Sequence, residues 1–350
     1  YSSFNVQRDG LFKNERYLEN SLGKGEKISF SNLSYKGGFT YFLTGRHWFT
    51  ANAAMVEQPP IIQNIFINPR ENNQVVPELQ KEVVSSIDLS YFVRLPSLTG
   101  RISAFNFFFV DSGLGSDFVQ EVITGLDRLH KGIEFGFEYE ASSSVKLTAA
   151  GNVGHYVYAS DPSVQINFDT AGAEEELIAK EGNIDLGIAD LKDLKLARGP
   201  QTALALGVSY RAPKYWWISG TTNYLTNNYS NLSTITRTSS FLIDPDTGEP
   251  FPDASKENVS KLLRQSKLDD IYLLNLVGGK SWLIDGKYIS FFASVNNVFD
   301  AVFRTGGYEQ SRNGNFGQLK QDNLSGSPSF APKYWYSYGR TYFLNLAISF

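Results

Sequence analysis

The sequence contains no cysteine. A disulfide framework and a thiolate metal site are therefore excluded, although the absence by itself selects no compartment. Histidine is scarce as well: His47, His130 and His155 are the only three, and they lie far apart along the chain. No apolar run approaches the roughly 18 to 20 residues of a helical span, and the mean hydropathy is -0.24. Any crossing of a membrane must therefore be made by something other than helices. No basic run occurs, and 32 Lys and Arg stand against 36 Asp and Glu, a formal charge of -4. Polyanion binding has no electrostatic footprint here, so nucleic acid is not an expected partner. A G-x-S-x-G elbow, a Walker loop and an H-E-x-x-H helix are all missing, so neither enzymatic activity nor a cofactor is expected. The chain opens on Tyr1 with no charged n-region and no apolar h-region after it. The expectation is that a targeting signal has been removed or that the chain begins partway through a longer protein.

Aromatic residues and turn formers are plentiful: 26 Phe, 19 Tyr and 5 Trp accompany 30 Gly. That mixture favours strands and turns over helices. Strands are predicted at about 28–43, 48–58, 81–94, 101–112, 131–142, 145–158, 201–212, 215–228, 268–281, 287–299 and 336–350. Period-two alternation is plain in several of them. Ile133, Phe135, Phe137 and Tyr139 alternate with Gly132, Glu134, Gly136 and Glu138, and Leu204, Leu206, Val208 and Tyr210 alternate with Ala203, Ala205, Gly207 and Ser209. The last strand has the same pattern, with Tyr342, Leu344, Leu346, Ile348 and Phe350 on one face.

The connections say more than the strands. Short turns at 44–47, 95–100, 143–144, 213–214 and 283–286 alternate with long polar segments at 59–80, 113–130, 159–200, 229–267 and 300–335. Loops of that length count against a compact soluble domain. They are the expected pattern of an outer-membrane barrel, which has tight turns on the periplasmic rim and long loops on the extracellular one. Trp48, Trp216, Trp217, Trp282 and Trp335 all fall near predicted strand ends, where the two membrane interfaces select aromatic residues.

"SVNNVFDAVFRTGGYEQSR" (294–312) and the closing "PKYWYSYGRTYFLNLAISF" resemble the last strands of TonB-dependent outer-membrane receptors. In that family an Asn-(Leu/Val)-Phe-Asp element sits in the penultimate strand, and the chain ends on an aromatic. The matching residues here are Asn297, Val298, Phe299, Asp300 and Phe350. "NPRENNQVVPELQKEVVSSIDLSYFVR" (68–94), with Pro77 and Glu78, is a looser match to the approach to a mid-barrel strand, and "HKGIEFGFEYEASSSVKLTAAGNVG" (130–154) is similar to the hairpin that follows. No plug domain, energy-coupling box or first half of a barrel is found. The resemblance implies an all-β fold, a transmembrane antiparallel β-barrel. On this reading 1–350 are its C-terminal portion, about 11 strands of a plugged barrel of about 22. A complete small barrel, with residues 1–20 as a twelfth strand, is the alternative.

Two function classes follow. In the first, the protein is an active transporter of the bacterial outer membrane. Extracellular loops bind a scarce bulky solute, and an inner-membrane TonB complex pulls on the plug to admit it. In the second, it is a passive porin or a structural barrel within a surface assembly. The implied partners are the protein's own plug and N-terminal barrel half, the TonB complex, the barrel-assembly machinery, lipid and lipopolysaccharide, and a surface lipoprotein. The resemblance also implies that Tyr342, Leu344, Leu346, Ile348 and Phe350 form a C-terminal assembly signal. Asp88, Arg94, Glu134, Glu138 and Glu140 alternate with apolar residues, which places them in the lumen as plug contacts, lining of a path, or hydrated surface. Asp244, Asp246 and Gly248 in "DPDTGEPFPD" have a D-x-D-x-G spacing open to Ca²⁺, but Ser255 stands where an EF-hand loop has its bidentate Glu. An ordinary Asp/Pro/Gly turn is the competing reading.

Overall fold

A computed structural model of the chain describes residues 1–14, 19–76, 79–110, 120–167, 183–197 and 199–349. Phe350, Pro77, Glu78 and the end of the strand predicted at 101–112 lie outside them. In chain order the strands are β1 (Ser2–Gly10), β2 (Gly23–Asn32), β3 (Tyr35–Thr44), β4 (His47–Gln58), β5 (Glu82–Arg94), β6 (Leu98–Val110), β7 (Gln120–Thr124), β8 (Arg128–Glu140) and β9 (Val145–Tyr158). They continue with β10 (Ser163–Asn167), β11 (Asn183–Ile188), β12 (Thr202–Ala212), β13 (Trp216–Thr226), β14 (Ile271–Ile284), β15 (Lys287–Asn296), β16 (Arg304–Tyr308), β17 (Lys333–Tyr336) and β18 (Thr341–Ser349). Two short helices, α1 (Lys256–Leu262) and α2 (Phe316–Leu324), lie between strands.

Eleven of the strands form one sheet in the order β3-β4-β5-β6-β8-β9-β12-β13-β14-β15-β18. Every neighbouring pair is antiparallel, so the sheet is a meander in sequence order. Among the described residues it is open: β18 bonds only to β15 and β3 only to β4. Residues 1–10 pair with β2 instead of supplying a strand that closes a small barrel. The predicted strand 28–43 is in fact two. β2 ends at Asn32 and β3 starts at Tyr35, because Leu33 and Ser34 leave the ladder to bond Glu57. The predicted 336–350 is likewise divided between β17, in a separate hairpin with β16, and β18.

The sheet has almost no core. Among the described residues its buried apolar side chains are Val93, Val157, Tyr158, Ala212 and Ile271, all within two residues of a strand end. Large apolar residues in mid-strand, including Ile87, Leu89, Ile133, Leu206, Val208, Leu344, Leu346 and Ile348, are instead exposed. A soluble sheet exposing this much would lose about 1.5–3 kcal/mol for each such side chain left in water, so the surface requires an apolar environment.

The long connections fold into layers of their own. The β1–β2 hairpin packs on residues 59–76 through Phe30, Ile65 and Phe66, and Arg8 Nε and Nη2 donate to the carbonyls of Pro69 and Arg70 at 3.0 and 2.7 Å. A second layer is built on the sheet β11-β10-β7, with Ile123, Leu126, Val164, Ala189 and Leu191 as its core. The polar segments predicted as loops thus contain five short strands and both helices.

Candidate functional site

Cross-strand register sorts the eleven strands into two faces, because successive side chains alternate. On the outer face Phe39, Ala51, Leu89, Ala104, Ile133, Val153, Leu204, Thr222, Leu274, Val295 and Tyr342 lie close to one ladder row, strand by strand. No Asp, Glu, Lys or Arg interrupts the middle of this face. Aromatic residues border it. Phe49, Tyr91, Phe137, Tyr139, Tyr210, Trp216 and Trp282 stand near the short-turn rim, while Tyr35, Tyr224, Tyr272 and Tyr342 stand near the long-loop rim. Tyr224 stacks on Tyr272 with centroids 4.7 Å apart. Along β13, Trp216 and Tyr224 are eight residues apart, roughly 26 Å of strand, which a tilt of about 40° shortens to roughly 20 Å along the barrel axis, within the height of a barrel's apolar band. Leu344, Leu346 and Ile348 belong to this face, opposite Ala293, Phe291 and Ile289.

Not every Trp behaves as the sequence led one to expect. Trp216 and Trp282 are on the outer face. Trp48 and Trp217 instead turn inward, where Trp48 stacks on Phe92 at 5.1 Å and Trp217 meets Phe292 at 6.1 Å. Trp335 is in the loop hairpin, 5.7 Å from Tyr308.

The inner face is polar, and all five predicted lumenal residues lie on it. Asp88 accepts a hydrogen bond from Asn52 Nδ2 at 2.9 Å. Glu134 meets Arg101 Nη2 at 3.5 Å and Glu138 meets Lys146 Nζ at 2.7 Å, while Glu140 is the register partner of Lys146 and is exposed. Arg94 is not brought to Asp88; its guanidinium lies over the Trp48 ring, 5.7 Å from the centroid. Ser90 and Ser103, both buried, share a hydrogen bond of 2.7 Å. The partners Asn52, Arg101 and Lys146 were not singled out from sequence, although their parity within the strands would have placed them on this face.

Toward the long-loop rim the inner face becomes aromatic. His130 is 5.0 Å from Phe109 and 5.1 Å from Tyr156, Phe105 is 5.8 Å from Phe107, and Asn152 Nδ2 donates to Tyr156 Oη at 2.7 Å. With Asp88, Arg101 and Glu134 below, these rings line a concavity of about 510 Å³. An aromatic wall over a floor of a few charges suits a bulky solute with both apolar and polar parts, or side chains of a plug.

The remaining predicted residues have local roles. Asn297 and Asp300 both have positive φ, 53° and 57°, and the Asn-Val-Phe-Asp element is a turn just beyond β15, not part of the strand. Asn297 N–H donates to Asn275 Oδ1 at 2.9 Å, the Asn297 side chain and Ala301 exchange two bonds, and Val298 N–H reaches Leu274 O at 2.8 Å. Asp300 Oδ1 accepts from Arg340 N–H at 2.7 Å, just ahead of β18. A side chain at Gly339 would come within 2.5 Å of that oxygen, so the element ties β14, β15 and the entry to β18 together. Phe299 is 64% exposed. Asp244 Oδ1 accepts from Asp246 N–H at 3.0 Å, and Gly248 N–H closes on Asp244 O at 2.8 Å, the geometry of an Asp/Pro/Gly turn. Ser255 is the N-cap of α1, accepting from Asn258 N–H at 3.3 Å. Among the described residues no group of three or more His, Asp or Glu is placed to hold a metal ion, and no helix is long and apolar enough to cross a membrane.

No protein-family model matches the chain, and no curated protein matches it. Solved structures do. The siderophore receptor PiuA from Acinetobacter baumannii is similar over 92% of this chain and 36% of that one, with a TM-score of 0.55 and 10% identity. For the ferric yersiniabactin uptake receptor FyuA from Yersinia pestis the shares are 94% and 38%, with a TM-score of 0.52 and 13% identity. For the ferric-catecholate import receptor Fiu from E. coli K12 they are 99% and 40%, with a TM-score of 0.50 and 12% identity. At such identities the likeness is one of fold. The chain spans about two fifths of the length of these receptors.

Proposed function

We propose that this chain, folded as the C-terminal barrel half of TonB-dependent receptors, serves as part of an outer-membrane active transporter for a bulky solute. The observation that carries this reading is the two-faced sheet: an uncharged apolar band outside and a charged, aromatic-topped surface inside, with folded loop layers on the rim opposite the short turns. Lipid covers the outer band. Strands outside this sequence pair with the edges of β3 and β18, because unpaired N–H and C=O groups in hydrocarbon cost several kcal/mol each.

In this reading the loop layers admit the solute, and the rings of Phe105, Phe107, His130 and Tyr156 hold it above Asp88, Arg101 and Glu134. A plug fills the lumen beneath, and a TonB complex supplies the energy that displaces it. The structurally similar receptors are named for ferric chelates, and another similar structure is a copper transporter, so metal chelates are the first solutes to try. The test is uptake by cells producing the full-length protein. Accumulation that needs both the protein and an energised inner membrane supports active transport. Size-limited passage that persists without TonB indicates a porin.

A further inference from the structure

Residues two apart on a strand share a face, so the inner side of β5, β6, β8 and β9 is laid out in rows across the ladder. One row runs Asp88, Phe105, Gly132, Gly154, and the next toward the long loops runs Ser86, Phe107, His130, Tyr156. The two glycines leave a hollow that neighbouring rings fill. A Cβ at Gly132 would come within 3.0 Å of Phe105 Cζ, and one at Gly154 within 2.3 Å of Tyr156 Cζ. Each ring therefore lies against glycine backbone on one side and turns its other side to the lumen. The two planes are 25° from parallel with centroids 6.4 Å apart, and together they make a flat aromatic platform.

Carboxylates border this platform. Asp88 is the register partner of Phe105. It accepts from the neutral Asn52 amide and belongs to no ion pair among the described residues. Glu134, one row nearer the short turns, meets one cation among them, Arg101 at 3.5 Å, with both side chains about half exposed. Two carboxylates against one guanidinium leave a negative excess beside two π faces, which are themselves electron-rich. Arg128 shows what a ring of this wall accepts, since its guanidinium lies over Phe109, 5.8 Å from the centroid. Phe109 is four residues along β6 from Phe105, roughly 13 Å, so the Arg128 charge is beyond the screening length of about 8 Å at physiological salt.

We infer that the solute this concavity receives is an organic cation, with an ammonium or guanidinium group seated on Phe105 and Tyr156 against Asp88 and its apolar body on Phe107 and the rings above. An anionic solute would meet the unpaired carboxylate at the same place. Among metal chelates, this favours those with a pendant ammonium over anionic ones. At about 510 Å³ the concavity has the size of a small-molecule site and exceeds what one side chain fills, so a solute fits it better than a basic residue of a plug. The inference rests on reading this face as the solute's path, and it adds the charge class of the solute and the seat of its charge.

The test uses the full-length protein, recovered from outer membranes, and three probes of one shape and different charge: 4-fluorobenzylammonium, 4-fluorobenzyl alcohol and 4-fluorobenzoate. Fluorine NMR titration reads the affinity of each. The parent is expected to bind the ammonium about tenfold more tightly than the alcohol, an ion pair and a cation–π contact together, and the benzoate most weakly. Asp88→Asn keeps the shape of the side chain and should lose about fivefold of that preference, and Phe105→Leu about threefold. Asp88→Lys should turn the preference toward the benzoate. Heat-modifiable migration of each variant shows that it has assembled. Equal affinity of the parent for ammonium and alcohol, no saturable binding of the ammonium, or an unchanged preference in Asp88→Asn overturns the inference. No binding by the parent together with TonB-independent leakage in Asp88→Asn would seat a basic side chain of a plug on the platform instead, and also overturns it. All of these results leave active transport standing, because that reading fails only if uptake of solute by the parent does not need an energised inner membrane.

Discussion

Arg237 and Glu309, 72 residues apart, form a two-pronged ion pair inside the loop layer, with Nη1 to Oε2 at 2.5 Å and Nη2 to Oε1 at 3.0 Å. The arginine side chain is 3% exposed and the glutamate 14%. Arg237 also donates to the carbonyls of Ser233 and Leu263 at 2.9 Å each, and Glu309 accepts from Ser233 N–H at 3.0 Å. Two loops are thereby fixed to each other at one point.

Glu309→Gln or Arg237→Ala leaves a buried charge unpaired and is expected to destabilise the loop layer by about 3–5 kcal/mol. Arg237→Lys should fare little better, because an ammonium cannot make the parallel pair of bonds. Limited proteolysis of the assembled protein would show new cleavage within 229–267 and 300–335, with the heat-modifiable barrel unchanged.

On the outer face, Val208→Arg places a cation in the middle of the apolar band and is expected to cost about 2–4 kcal/mol of barrel stability. Thr148→Lys, on the inner face opposite Glu138, adds the same charge where water and a carboxylate receive it, and should be close to neutral. Urea unfolding in lipid vesicles separates the two; similar losses in both variants would mean that the faces are assigned wrongly.

Asp269 accepts from Arg304 Nη2 at 2.7 Å and from Nε at 3.0 Å, and this bonding holds its carboxyl below the ordinary aspartate range. A depressed folded-state pKa means that the contribution is fully present above about pH 4 and is lost as the pH falls through the lowered value. The tie between the loop side of β14 and the β16–β17 hairpin should therefore hold at neutral pH and weaken only in strong acid. The protection factors of residues 304–308, which remove the intrinsic pH dependence of amide exchange, should fall on acidification in the parent. In Asp269→Asn they should already be low at neutral pH and change less.

Phe350→Ala tests the terminal strand as an assembly signal, a role proposed from the family resemblance. The amount of full-length protein assembled in the outer membrane is expected to fall much more than the solute affinity of the molecules that do assemble. Unchanged surface levels would remove the proposal.

The sheet was legible in the sequence because its outer face must be apolar at every second position, as in the runs ending at Tyr139, Tyr210 and Ile348. The break at Leu33 and Ser34 was not read, although the apolar positions change parity there, from Ile28 and Phe30 to Leu33 and Tyr35, because a bulge within one strand gives the same one-residue slip and only the side-chain bonds from Ser34 and to Glu57 show the exit from the ladder. Short loop strands such as Gln120–Thr124 and Arg304–Tyr308 are too brief for a period to register. Trp48 and Trp217 sit beside turns and so invited an interface assignment, yet strand parity puts them inside. The pair Arg237 and Glu309 depends on a contact between distant segments that no local pattern records.

The most direct test of the account is an electron cryomicroscopy structure of the full-length protein in a lipid nanodisc. A closed barrel is predicted, in which β3 and β18 each hydrogen-bond to a strand outside residues 1–350, with Leu206, Val208, Leu344 and Leu346 against lipid and Asp88, Glu134 and Glu138 facing the lumen. Direct pairing of β18 with β3 in a narrow barrel, or packing of those four residues into a protein core, would contradict it.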